Sequence, residues 1–283
     1  MTETLHIHHL AGCAPSPLAH YLKALGILRL VADQADPDAR GWWQGERFHL
    51  LTRLDRDALA DFFLRRYAPT PIIAPWNNGS GFYKRKSYGL SAIATSHSHR
   101  FADYRRATEF CFAYTRTLAE APSEEAKSAL LRICREQWRG TITAWLDAAI
   151  VLQANGAPVY PAILGTGGND GSLDFTRNFM DRLADIFDLT HPDALPCDRA
   201  HSLLSSALWG HVTYGLSSDT AIGQFMPGGA GGANQTSGFG ADSLINPWDF
   251  VLMLEGALVF YPVTPILGDG RCGAAEETEP SRQ

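Results

Sequence analysis

The chain has 283 residues, 45% of them apolar, and its 24 basic and 30 acidic side chains leave a formal charge of −6. Little apolar content with a large net charge is the mark of a disordered polymer, so this composition excludes one and supplies the core of one large domain or two intimate ones. Five scattered cysteines, none spaced as CxxC, argue against a disulfide framework or a structural zinc site, and the most apolar run, residues 248–261, is interrupted by Asp249 and Glu255 and falls short of the roughly 20 residues a membrane span needs. These features predict a soluble cytoplasmic protein.

In chain order, the first strong element is a helix over 16–33, with Ser16 as N-cap, Pro17 in the first turn and a stripe of Leu18, Leu22, Leu25, Leu28 and Ala32, ended by Asp36 and Pro37. Residues 41–51 read as a hairpin turning at Gln44 and Gly45, with Phe48 and Leu50 alternating against Arg47 and His49. Asp55 or Asp57 caps a second helix that buries Leu59, Phe62, Phe63 and Tyr67 and stops before Pro69. Residues 69–89, PTPIIAPWNNGSGFYKRKSYG, form a loop too aromatic for a flexible linker.

Helices are expected over 104–118 and 123–153, the second broken or kinked at Gly140, with Leu130, Leu131, Cys134 and Trp138 facing inward, opposite Arg132, Arg135 and Arg139. A short buried strand over 159–164 leads into GTGGNDGSLDF at 165–175. A helix burying Phe175, Phe179, Leu183, Ile186 and Phe187 follows. The periodicity then predicts a helix over 198–209 closed by Gly210, a glycine-rich run over 223–247, and a last helix starting at Asn246 and Pro247. The fold class is α+β, mainly helical and irregular, with short strands and long Gly-rich loops. Residues 1–268 are expected as one large globular region with a sub-boundary near 156, and 269–283 as a disordered tail.

Charge is unevenly spread. Residues 1–83 hold 8 basic and 8 acidic side chains, 84–139 hold 11 and 6, and 140–283 hold 5 and 16, so a basic middle sits in an acidic chain. Such a segment is either a polyanion surface or a solvated helix face.

Motifs for catalysis are incomplete. The 165–171 segment has Asp170 where GxGxxG requires glycine, and no Walker loop occurs. His6, His8 and His9, like His97 and His99, lack further metal ligands at metal-site spacing, and no GxSxG elbow exists. Asp36/Asp38 and Asp55/Asp57 sit at helix boundaries, where capping explains them. No catalytic residue, metal ligand or cofactor is therefore assigned. Strongest is GSGFYKRKSYG preceded by Asn77 and Asn78. Lys84, Arg85 and Lys86 supply phosphate-seeking charge, with Arg100 further along. Phe82, Tyr83 and Tyr88 supply stacking faces. The competing reading is a surface loop pinned by buried aromatics.

Several blocks together resemble one family: GCAPSPLAHYLKALGILRLVADQADPDARGWW, PIIAPWNNGSGFYKRK, GTGGNDGSLDFTRNFMDRL, GQFMPGGAGGANQTSGF and SLINPWDFVLMLEGAL. The resemblance is to the large subunit of type I-G (formerly I-U) CRISPR effector complexes and covers about residues 11–260. It implies a non-enzymatic subunit of an RNA-guided surveillance complex in antiviral defence. Guide pairing would read the target, while the large subunit contacts target double-stranded DNA and its flanking motif, with CRISPR backbone subunits and a recruited helicase-nuclease as partners. Chains of that family continue past the block ending here at Leu258, which marks this sequence as an N-terminal portion, a split product or a truncation. On this reading Asn77, Asn78, Asn169, Gln224 and Asn234 reach base edges, and the glycines serve either close approach to a duplex or only tight packing and helix ends. The rival readings are a small-molecule or nucleotide enzyme using the Gly-rich loops as a phosphate cradle, and a purely structural assembly subunit.

Overall fold

The computed structural model describes residues 4–83, 87–118, 120–161, 163, 174–222, 225–230 and 242–260. Its architecture is mainly helical α+β with small sheets. The expected tail lies outside the described residues, as do Lys84, Arg85, Lys86, Asn169, Gln224 and Asn234.

The hairpin around Gly45 forms as expected, with β2 (Arg40–Gln44) antiparallel to β3 (Arg47–Thr52), and Gly45 at φ +59° making the turn that a side chain would strain. A strand absent from the sequence-based expectations, β1 (His6–Leu10), pairs antiparallel with β3 and makes it the central strand. Three of its five residues are histidine, which hides the apolar alternation that marks a strand. On the inner face Leu10, Phe48 and Leu50 are buried, and Trp43 stacks on Tyr21 of helix α1 (Leu18–Gln34).

Helix α1 departs from its expected stripe. It starts after Pro17, with no side-chain cap, and Leu18 is exposed. The buried face runs through Ala19, Leu22, Lys23, Gly26, Ile27 and Leu30. The reason is its partner, α9 (Pro247–Ala257), begun by Asn246, whose side chain accepts from the Trp248 amide. A Cβ on Gly26 would lie 2.0 Å from the Leu252 carbonyl oxygen, and one on Gly256 1.8 Å from that of Leu22. Only glycine permits this crossing. Two ion pairs join the same helices. Lys23 Nζ donates to Asp249 at 2.7 Å, and Arg29 Nη1 to Glu255 at 2.7 Å. Glu255 is fully buried and also accepts from the Tyr67 hydroxyl and from the Thr70 amide and hydroxyl. The glycine contacts and ion pairs of this crossing use residues that hydropathy alone does not place in a core.

Asp55 caps α2 (Arg56–Asp61) by accepting from the Ala58 amide, and a π-helical turn (Phe62–Arg66) continues it; Leu59, Phe62, Phe63 and Tyr67 are buried as expected. Asp36 is no cap. Its buried carboxylate gathers Thr52, the Arg53 amide and guanidinium, and the Asp38 amide, fastening the end of α1 to β3. Next come α3 (Tyr88–Thr95), α4 (Ala102–Thr115) and α5 (Glu124–Gln137), capped by Ser123. The expected helix over 123–153 breaks at Gly140, φ +70°, and resumes as α6 (Thr141–Ala149).

The expected buried strand over 159–164 is not formed in its described part. Strand β5 holds only Pro158–Val159, paired with β4 (Val151–Leu152), and Val159 is exposed. Proline at 158 and 161 removes ladder donors on both sides of Val159. Helix α7 (Asp174–Ile186) buries the five residues its periodicity assigned inward or just beyond its end, and α8 (Ala200–Trp209) is closed by Gly210 in the left-handed region. Strands β6 (Ser217–Ala221) and β7 (Asp242–Ile245) pair antiparallel ahead of α9. One apolar cluster joins residues from Leu10 to Leu258. Among the described residues no helix is long and apolar enough to cross a membrane.

Candidate nucleic-acid interface

The three segments singled out in the sequence, 76–89, 165–175 and 223–234, are far apart along the chain. Their described flanks meet at α7. The Asn78–Ser80 turn packs against this helix. Ser87, directly after Lys86, caps α3 by accepting from the Leu90 amide, and its hydroxyl donates to Asp181 Oδ1 at 2.7 Å. The Gly89 amide donates to the same oxygen at 2.9 Å. A Cβ on Gly89 would stand 2.2 Å from the Met180 backbone, so glycine lets α3 settle on α7.

Around this contact runs a chain of polar groups. The Tyr88 hydroxyl donates to Asp185, accepts from Arg182 Nη2 and lies 3.0 Å from the Asp181 carbonyl oxygen. Arg182 pairs with Asp185 at 2.9 Å and donates to the Ser218 carbonyl, while the Ser217 hydroxyl donates to Asp185. Burial raises the Asp181 carboxyl above its ordinary range, against the hydrogen bonds from Ser87 and Gly89. The first turn of α7, which follows 165–173, holds the third segment: Phe175 meets Phe225 edge to face at 5.4 Å, and the Phe225 carbonyl accepts from Ala19 at the start of α1. Ser243 of β7 donates to the Gly229 carbonyl.

Asn77 is half-buried with no side-chain capping bond, and Asn78 is exposed. Both stand at the turn that packs on α7. The aromatics of this stretch divide. Trp76 is buried, Phe82 meets Phe112 edge to face at 5.0 Å, and the Tyr83 hydroxyl donates to the Pro75 carbonyl, so these three pin the segment. Tyr88 keeps 51% of its surface exposed and is the ring left open for stacking. The polar contacts of Ser87, Asp181 and Asp185 had no place in the sequence-based set. Their trace in the sequence was Ser87 one residue before an apolar helix, and acids interleaved with the buried residues of α7.

Arg100 stands elsewhere. Its guanidinium donates to the carbonyls of Tyr67 and Leu64 at 3.0 Å and of Ala194 at 3.2 Å, and lies 4.2 Å from the centre of the Phe187 ring. Burial lowers its pKa to about 10. These donors close the carbonyl end of the π-helical turn, a structural task that explains the residue without nucleic acid. His97 and His99 are exposed, and among the described residues no group of three or more His, Cys, Asp or Glu is placed to hold a metal.

The described flanks of the three segments thus lie around α7, the first held by the polar contacts of Ser87, Tyr88 and Gly89 and the third by the Phe175–Phe225 edge-to-face contact. Comparison of the sequence with protein-family models and with curated proteins found no match.

Proposed function

We propose that the chain is a large-subunit component of an RNA-guided CRISPR surveillance complex, acting in the cytoplasm in antiviral defence by contacting target DNA at its flanking motif. What supports this reading is the meeting at α7 of the flanks of three segments, two within blocks that carry the resemblance and the first overlapping one and running three residues past it. Guide pairing reads the target sequence, and the protein's task is to position the duplex and test the flanking bases. Lys84, Arg85 and Lys86 neutralise phosphates, with Tyr88 beside them as a stacking ring, and Asn77, Asn78, Asn169, Gln224 and Asn234 address base edges. Arg100 has no part in it. The chain performs no catalytic step, and strand degradation falls to a recruited helicase-nuclease.

The test is co-purification with guide-bound backbone subunits, followed by target-DNA binding with and without this chain. The reading expects association, a flanking-motif-dependent rise in DNA affinity, and neither cleavage nor ATP hydrolysis by the chain alone with divalent metals. Absence of association, or turnover that follows the folded protein, refutes it.

A further inference from the structure

The β1–β3–β2 sheet buries one face on α1; its other face has a composition of its own. Strand register sets Arg40, Trp42 and Gln44 of β2, Arg47, His49 and Leu51 of β3, and Ile7 and His9 of β1 on that face, with Trp42 and His9 both directly opposite His49. Trp42 stacks on His49 with ring centres 5.2 Å apart and planes 16° apart. From the other side His9 meets His49 edge to face, Nδ1 to Nδ1 at 2.9 Å. Trp42 is 37% exposed, and His9, Arg40 and Arg47 are exposed. Burial and then the nearby His9 and Arg47 hold His49 below its ordinary pKa, with no carboxylate opposing them. The nearest acid in sequence, Glu46, lies in the hairpin turn rather than at an outward strand position.

An aromatic stack flanked by two arginines, on a sheet face whose described outward strand residues include no carboxylate, fits a base and its phosphates better than it fits a basic partner, and the exposed Ile7 near His9 leaves the face mixed rather than wholly polar. We infer that this face is a second nucleic-acid site, which takes an unpaired strand by stacking a base on the Trp42–His49 pair and holding adjacent phosphates with Arg40 and Arg47. It lies on different elements from the α7 interface and stands without it.

The experiment titrates the full chain with fluorescein-labelled dT15, rU15 and a 15-base-pair duplex at several salt concentrations. Trp42→Ala is expected to weaken single-strand binding about tenfold and Trp42→Phe to restore most of it, because stacking needs only a ring. Arg40→Ala with Arg47→Ala is expected to flatten the log–log salt slope by about 1.4, at about 0.7 per phosphate contact on a single strand. These arginines are exposed, so their double variant decides the matter should Trp42→Ala unfold. A preference for dT15 or rU15 names the strand, and either supports the site. Single-strand affinity and salt slope unchanged in the double arginine variant overturn it, as does Trp42-dependent self-association without strand binding. A Lys84→Ala, Arg85→Ala, Lys86→Ala variant separates the two sites: loss of duplex binding there with normal sheet behaviour supports both, and loss there with silent sheet variants overturns this inference alone.

Discussion

Helices α9 and α7 both carry acids into the core, and they use them differently. Glu255 of α9 accepts from Arg29, Tyr67 and Thr70, residues of α1 and the stretch after the π-helical turn, and so locks scaffold to scaffold. Asp181 and Asp185 of α7 accept from Ser87, Gly89, Tyr88 and Ser217, residues at or near the ends of the segments proposed to touch DNA. The glycines divide in the same way. Gly26 and Gly256 let two core helices touch, whereas Gly89 seats the start of α3 on α7. Buried acids and glycines therefore serve two tasks, one building a frame and one fastening loop ends to it.

The largest effect is expected at the frame. Glu255→Ala deprives Arg29 of its buried partner and leaves the Tyr67 hydroxyl and the Thr70 amide without their acceptor, and removing one member of a buried ion pair costs about 3 to 5 kcal/mol. Urea denaturation should show that loss. A change under about 1 kcal/mol would mean that the pair is not a lock. Gly256→Ala forces α1 and α9 apart and should cost about 3 kcal/mol by the same measurement, with DNA affinity of the remaining folded fraction preserved.

On the loop side, Asp181→Ala orphans the Ser87 hydroxyl and the Gly89 amide at a cost of about 1 to 3 kcal/mol. Its signature should be local: faster amide exchange at the start of α3, and a loss of DNA affinity that Gly256→Ala does not produce. Equal affinity losses in both variants would erase the distinction between frame and fastening. The smallest effect concerns pH. Burial opposes the Asp36 charge, but the bonds from Thr52, Arg53 and Asp38 outweigh it and hold the carboxyl below its ordinary range. Its stabilising contribution is thus complete above the unfolded-state pKa of about 3.9 and is lost as pH falls through the lower folded value. Asp36→Asn should lower stability at neutral pH and flatten the acid limb of the stability profile below about pH 4; an unchanged limb would contradict that role.

The sequence was most readable where apolar periodicity and caps agree, as in α7 with Phe175, Phe179 and Leu183, or α9 with Asn246 and Pro247. It was misleading where the partner surface sets the face. Lys23 and Gly26 sit in the α1–α9 contact because an acid and a second glycine await them, and no local pattern reveals a partner more than 200 residues away. Strand β1 was hidden because His6 and His8 on its inner face and His9 on its outer face interrupt the apolar alternation. For the candidate site, composition marked the segments, while the polar contacts that gather their flanks depend on tertiary neighbours. Arg100 lies in the same basic region, but the donors it spends on backbone carbonyls are likewise set by tertiary neighbours that composition does not show.

On the proposed reading, the segments whose flanks meet at α7 form a phosphate-binding interface distinct from the frame. The most direct test is the salt dependence of duplex binding for the wild-type chain against the Lys84→Ala, Arg85→Ala, Lys86→Ala variant. Three lost phosphate contacts should lower the log–log slope by about 2.7, at about 0.9 per contact, with urea stability within about 0.5 kcal/mol of wild type. An unchanged slope in a normally folded variant would contradict the claim.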